Sequence, residues 1–232
     1  MRPFSLQFLV DVFPILLPFL SATLAVVVGT IFFGSIAGGL LAWAKEGSYQ
    51  LFQRLAQAYT YIIRCTPPIV LLFIVFYGLP KFCLEVLDTN INDYDKLFFV
   101  IISFTLLFAA PVSEVMRSAY EAIDHGQYEA AVSIGLSPWQ AFFHIVLPQA
   151  TVVALPNFGN SVISLMKDGS LAYTIGFIDL IGKGQLIVSM NYGAYAMETY
   201  LALALIYLML TIGMEKLFLW IEQRFSRHKQ AA

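Results

Sequence analysis

Charge is what this chain has least of. Asp, Glu, Lys and Arg make up 12% of its 232 residues, about half the share found in soluble domains. That shortage excludes an ordinary water-soluble globule. Cysteine is almost missing: Cys65 and Cys83 are the only two, too few for a disulfide framework or a cysteine-rich metal centre. Histidine is confined to His125, His144 and His228. No His/Asp/Glu cluster has metal-ligand spacing, and no Ser/His pair sits at matched depth, so the sequence offers no catalytic and no metal-binding residues. Internal repeats are missing as well, and few acids lie deep in apolar segments.

What is present is apolar sequence in blocks, 59% of the chain. A helix crosses a bilayer with about 20 apolar residues. We therefore read a single all-α membrane domain over residues 1–232, with five transmembrane helices. The first span is Val12 to Trp43. Its run is too long for a secretory leader, so it is expected to be retained. Its second half holds Gly29, Gly34, Gly38 and Gly39, small residues that allow close helix approach in lipid.

Lys45 to Arg64 is amphipathic at helical spacing and is expected to lie at the interface. Thr66-Pro67-Pro68 predicts a break, because proline disfavours helical geometry in the residue before it. The second span follows from Ile69 to Leu79. Lys81 to Lys96, with Glu85, Asp88, Asp93 and Asp95, is expected to be an exposed loop. The third span is Leu97 to Ser118. It carries Glu114 and Arg117 on one face, and charge at membrane depth faces protein or a watered path. The fourth, Ala150 to Met166, is expected to be broken by Pro156. It is dotted with Asn157, Asn160, Ser161 and Ser164 and ends at Lys167-Asp168. Such a polar, interrupted helix is tolerated only on protein or a cavity wall. Leu171 to Tyr195 reads as a loop with short helical pieces, and Ala196 to Trp220 as the fifth span.

Cation counts orient these spans. Lys45, Arg54, Arg64, Arg117, Lys216, Arg224, Arg227 and Lys229 fall on one side, and Arg2, Lys81, Lys96 and Lys183 on the other. Eight against four puts the N-terminus outside and the C-terminus in the cytoplasm.

The segment at 119–149 is then a cytoplasmic loop. Asp124 with Gln127 has capping-box spacing, so a helix starts there, and Gly135 stops it. Ser137, Pro138 and Gln140 start a second helix, which is expected to end by Val146 because Pro148 disfavours continuation. The loop is acidic, with Glu121, Asp124 and Glu129 and no Lys or Arg. A helix-turn-helix that grips nucleic acid needs basic residues for the phosphates, so that reading is rejected.

Glu129-Ala130-Ala131, Gly135 and Ile145-Val146-Leu147-Pro148 together resemble the EAA loop of bacterial ABC importer permeases. Gly126 to Ala131, Leu147 to Ala150, Leu155-Pro156, Ile163 to Leu165 and Lys167-Asp168 resemble the polar amino acid subfamily, the histidine/glutamine/cystine permeases. Arg64-Cys65-Thr66-Pro67 is similar to that subfamily's Arg-Gly-Thr-Pro. Cys65, Pro111 and Gly169 depart from the usual Gly, aromatic and Thr.

The resemblance implies a type I importer permease in the inner membrane. Glu129, Ala130, Ala131 and Gly135 would couple it to a separate ATP-binding subunit. Its further partners would be a second permease, identical or related, and an extracytoplasmic amino-acid-binding protein. ATP and Mg would sit on the partner subunit and no cofactor on this chain. The one string near a phosphate-binding loop, Gly176 to Gly184, has five residues between Gly176 and Gly182 and Gly184 after Lys183, which does not fit. For a polar, zwitterionic cargo such as cystine, Arg117 or Lys167 would meet the carboxylate and Glu114 or Asp168 the amine. Asn160 and Ser164 would add neutral hydrogen bonds. The competing reading is a secondary transporter or channel that needs no ATPase, for which internal repeats are expected.

Overall fold

Two glycines set a close contact between two of the spans. The computed structural model describes residues 3–227; Arg2 and Lys229, used above for topology, and His228 lie outside the described residues. Helix α2 (Leu20–Glu46) lies along helix α6 (Lys96–Glu121). A Cβ on Gly34 would stand 2.7 Å from the Phe108 ring, and one on Gly38 2.9 Å from Val112 and 3.2 Å from the Ala109 carbonyl oxygen. Val100, Phe104, Phe108 and Val112 recur at four-residue spacing and are all buried, as one face of a helix requires. Their opposite neighbours on α2, Phe32, Phe33, Ile36 and Leu40, stay exposed, which suits a surface that meets lipid or another subunit.

The first span is longer than expected. Ser5 caps α1 (Leu6–Leu16), a 3-10 turn at Leu17–Phe19 takes in Pro18, and α2 follows, giving a 41-residue run from Leu6 to Glu46. Its start packs on α10 (Leu180–Met190) and α11 (Ala196–Arg227). There Phe8 stacks on Tyr195 at 3.7 Å and the Ser5 N–H donates to Glu198 at 2.8 Å.

The segment expected at the interface is instead a helix that climbs the bundle. Helix α3 (Gln50–Cys65) packs against both α2 and α6. The Tyr59 hydroxyl donates to the Leu106 carbonyl at 2.9 Å, and Leu106 is near the middle of α6. Ile63 joins Leu71, Val75 and Ala110 in one buried cluster. The chain breaks at Thr66-Pro67, as the proline rule demands, and resumes as α4 (Pro68–Phe73), a π-turn (Ile74–Gly78) and α5 (Leu79–Leu87). So α4 to α5 form the second span, Pro68–Leu87, which runs past Leu79 into the stretch expected to be loop. The error arose because an amphipathic pattern shows that one face is polar, not whether it meets bulk water or a cavity.

The fourth span is also longer. Helix α8 (Pro138–Ala141), a π-turn (Phe142–Val146), α9 (Leu147–Asp168) and a 3-10 segment (Gly169–Ile175) form one apolar run of 38 residues. Pro156 sits inside α9 without breaking it. Pro148 does not end the helix either, contrary to expectation. A π-turn opens the ladder to i→i+5 spacing. The Leu147 N–H reaches the Phe142 carbonyl, and the proline that follows needs no N–H at the widened turn. The same device recurs before Leu79-Pro80, where a π-turn also precedes the Leu-Pro pair.

Among the described residues, five helical runs are long and apolar enough to cross a membrane.

Candidate functional site

The segment at 119–149 forms a two-helix projection at one end of the bundle. Helix α7 (His125–Ser133) begins at Asp124, whose carboxylate accepts from the Gly126 N–H at 2.8 Å. Its end is a Schellman turn: the Leu136 N–H donates to the Ala131 carbonyl and the Gly135 N–H to the Val132 carbonyl. Gly135 has φ +100°, the left-handed conformation that this motif gives to glycine. A full capping box then starts α8, with Gln140 N–H on the Ser137 hydroxyl and Ser137 N–H on the Gln140 side chain. Both predicted helix starts and the predicted stop are therefore in place.

One side of this projection is fixed to the bundle by Ala119, Ile123, Val146 and Ala150, which bury each other. Ala131 and Ala141 face inward, at 5% and 0% exposure. The other side is open. Glu129 and Ala130 are exposed, and Glu129 forms no ion pair among the described residues. Ile134 is 81% exposed and Trp139 70%, with Trp139 stacked on Phe143 at 5.8 Å. Bulky apolar groups beside a free carboxylate, held rigidly outside the bundle, have the makeup of a protein-docking surface.

The other predicted residues fall into three places. Asn160, Ser164 and Asp168 line one cavity of about 360 Å³ between α3, α6 and α9, together with Arg64, Thr66 and Ser161. Glu114 borders a second, of about 500 Å³, with Gln57, Thr60, Tyr61, Arg64 and Cys65. Arg117 belongs to an ion network at the loop end of the bundle. It meets Glu121 at 2.6 Å, Glu114 at 3.1 Å and Glu46 at 4.0 Å. On the far side of Glu114, Lys45 donates to its carboxylate and to the Ser113 hydroxyl, each at 2.7 Å. Lys167 is exposed and lines neither cavity. Two residues with no expected pathway role, Arg64 and Lys45, thus carry much of the local charge. Arg64 was visible as part of an Arg-x-Thr-Pro run, but the interfacial reading of its helix hid its position.

A bundle of apolar spans, a cavity between them with polar side chains in its wall and a docking projection at one end define a membrane-transport subunit. The chain belongs to the family described as "Binding-protein-dependent transport system inner membrane component", which matches residues 34–227. It is 38% identical over 229 residues to the L-cystine transport system permease protein TcyL of Bacillus subtilis (strain 168), covering 98% of this chain and 94% of that protein. Its fold is similar to a chain in the crystal structure of an amino acid ABC transporter with histidines: TM-score 0.81, 28% identity, 96% of this chain and 100% of that chain. It is also similar to a chain of the inward-facing MetNI methionine ABC transporter, with TM-score 0.70 and 22% identity over 90% of this chain and 95% of that one, which speaks for the fold alone. The chain is a multi-pass permease subunit of type I architecture, a transport component and not an enzyme.

Proposed function

We propose that this chain carries a polar L-amino acid, cystine foremost, into the cytoplasm as one of two permeases in an ATP-driven importer. The observation that carries this reading is the exposed face of the projection, where Glu129 stands beside Tyr128, Ile134, Trp139 and Phe143. That face docks on a separate ATP-binding subunit, which holds ATP and Mg, and Glu129 meets basic groups there. Ala131 and the turn at Gly135 set the angle at which the two short helices enter their groove. Nucleotide-driven movement of the docked pair then passes through Phe142–Val146 into α9, which walls the cavity. The loop end is the cytoplasmic end, so the C-terminus is inside and the N-terminus outside.

The similarity to a cystine permease supports the cargo class. In the cavity, Asn160 and Ser164 supply neutral hydrogen bonds and Asp168 an acceptor for the ammonium. Glu114 borders this route at its cytoplasmic end with Arg117 paired behind it, and Lys167, next to Asp168 but lining neither cavity, is the outermost cation proposed for the carboxylate. A second permease, identical or related, completes the path about a two-fold axis. An extracytoplasmic binding protein delivers the cargo to the outer loops.

The test is co-purification of the ATP-binding subunit with this chain and with two variants, Glu129→Arg and Gly135→Trp. The wild type is expected to retain the partner and show binding-protein-stimulated hydrolysis. Both variants are expected to lose coupling. Retention of partner and coupled hydrolysis by both variants overturns the docking assignment.

A further inference from the structure

The geometry points to Arg64 as the anchor for the carboxylate of the transported amino acid, at the middle of the membrane, a deepening that rests on the reading of the chain as an amino acid permease. Depth is the first argument. Five residues before Arg64, the Tyr59 hydroxyl bonds the Leu106 carbonyl, and the adjacent Ile63 packs with Ala110. Leu106 and Ala110 occupy the centre of α6 (Lys96–Glu121), so Arg64 lies near mid-span.

The second argument is its lack of a partner. Arg64 is exposed on the chain and makes no ion pair or hydrogen bond among the described residues. Lys45 and Arg117, by contrast, are each bound to carboxylates. A cation left facing hydrocarbon at mid-depth is costly. The face that bears it must therefore look onto a watered path. The structure supplies that path, because Arg64 is the charged residue common to both cavities.

The third argument is the order of charges along the route. Phe108 on α6 meets Phe158 on α9 with ring centroids 5.9 Å apart, which fixes the relative level of the two helices. Glu114 lies six residues toward the loop end from Phe108, about 9 Å along the axis, and Asp168 lies ten residues the other way from Phe158, about 15 Å. Arg64 stands between an acid above and an acid below. A guanidinium binds a carboxylate through two parallel N–H bonds. A zwitterion held that way turns its ammonium first toward Asp168 in the outer cavity. It then passes into the inner one on the same anchor. Glu114 is less available than Asp168 to the ammonium, since its oxygens already accept from Lys45 and Arg117.

The experiment uses the whole assembly, this chain with its second permease and ATP-binding subunit, in lipid nanodiscs without the binding protein. Equilibrium binding is measured for L-cystine, L-histidine, L-glutamine and L-arginine and for their methyl esters, which lack the carboxylate charge. The wild type is expected to bind at least one free acid and to prefer it over its ester. Arg64→Gln is expected to weaken the acid ten- to hundred-fold, the effect of losing a charge-assisted hydrogen-bonded pair, and to leave the ester unchanged. Arg64→Lys should recover part of the preference.

Equal acid binding by Arg64→Gln and wild type overturns the proposal. So does parallel loss of acid and ester, which marks a structural role, and so does failure of the wild type to bind any of the four acids. If Arg64→Gln does not assemble, Arg64→Lys decides: a smaller acid-over-ester preference supports the anchor, and an unchanged one overturns it. Failure of the ATPase to co-purify with the wild type overturns the function itself. An intact ATPase with binding indifferent to Arg64 overturns only this inference.

Discussion

Lys45 and Glu114 are 69 positions apart in sequence and 2.7 Å apart in space. The Lys45 side chain is only 2% exposed, so its charge depends on that carboxylate and on the Ser113 hydroxyl. The pair joins the loop end of α2 to that of α6. Glu114 is 32% exposed but Lys45 is not, so removing the carboxylate strands a buried ammonium at a cost of about 3 kcal/mol or less, whereas replacing both by apolar groups of similar size is far milder. Glu114→Leu is expected to lower thermal stability sharply, and Lys45→Met with Glu114→Leu to restore much of it. Thermal unfolding of the purified chain checks this through a double-mutant cycle. Additive losses would show that the pair is not the energetic unit described.

The contact between α2 and α6 yields a comparison within one helix turn. A Cβ on Gly38 meets the Ala109 backbone oxygen at 3.2 Å and Val112 at 2.9 Å, while one on Gly39 meets only the Met116 sulfur at 3.7 Å. The Met116 side chain can move aside and a backbone oxygen cannot. Gly38→Ala should therefore push the helices apart and destabilise by about 1–3 kcal/mol. Gly39→Ala should be neutral or gain up to about 1 kcal/mol from helix propensity. Equal melting temperatures for the two variants would contradict the close approach.

Much of the fold was legible because its determinants are local. Five apolar runs, the turn at Gly135, the caps at Asp124 and Ser137 and the break at Thr66-Pro67 all follow from residues within a few positions of each other. Three features were not. The polar face of α3 looked interfacial, because one-dimensional amphipathicity does not distinguish bulk water from a cavity. Pro148 looked like a stop, because the proline rule assumes an α ladder and the chain uses a π-turn. Lys45 looked like a topology marker, because its partner is on another helix. The site was legible in the same proportion: Asn160, Ser164 and Asp168 share a cavity as their spacing on one helix face implies, while Arg64 enters it from a helix that the sequence misplaced.

The π-turn at Phe142–Val146 makes a length-dependent prediction. A π-turn is an α-helix with one residue inserted. Deleting His144 would restore regular α spacing and keep the register on both sides. It would also place Pro148 in an ordinary ladder, where the ring clashes with the preceding turn at a cost of about 3 kcal/mol. The deletion alone is expected to be destabilising, and adding Pro148→Ala to recover most of the loss. Melting temperatures of the three chains check it. If the second change rescues nothing, the π-turn is not there to accommodate the proline.

Asp179 supplies the pH prediction. It caps α10, and one carboxylate oxygen accepts the Gly182 N–H at 2.8 Å, but the other is buried without a partner. The residue is 1% exposed. Burial pushes its pKa from 3.8 up to about 6, against the opposing pull of the Gly182 N–H. The sign follows from linkage: the folded state holds the proton more tightly than the unfolded one, so stability falls as pH rises between these values. It is greatest below about pH 4 and levels off above about pH 6, with a total loss of up to roughly 3 kcal/mol. Asp179→Asn keeps an oxygen for the Gly182 N–H and cannot ionise. The variant should therefore melt higher than wild type at pH 7.5, where the wild-type carboxylate is charged in a dry site, and by a clearly smaller margin at pH 4.5. Thermal unfolding of both chains at the two pH values measures the difference. A gain of the same size at both, or a loss at both, would mean that the buried charge is not what the substitution relieves.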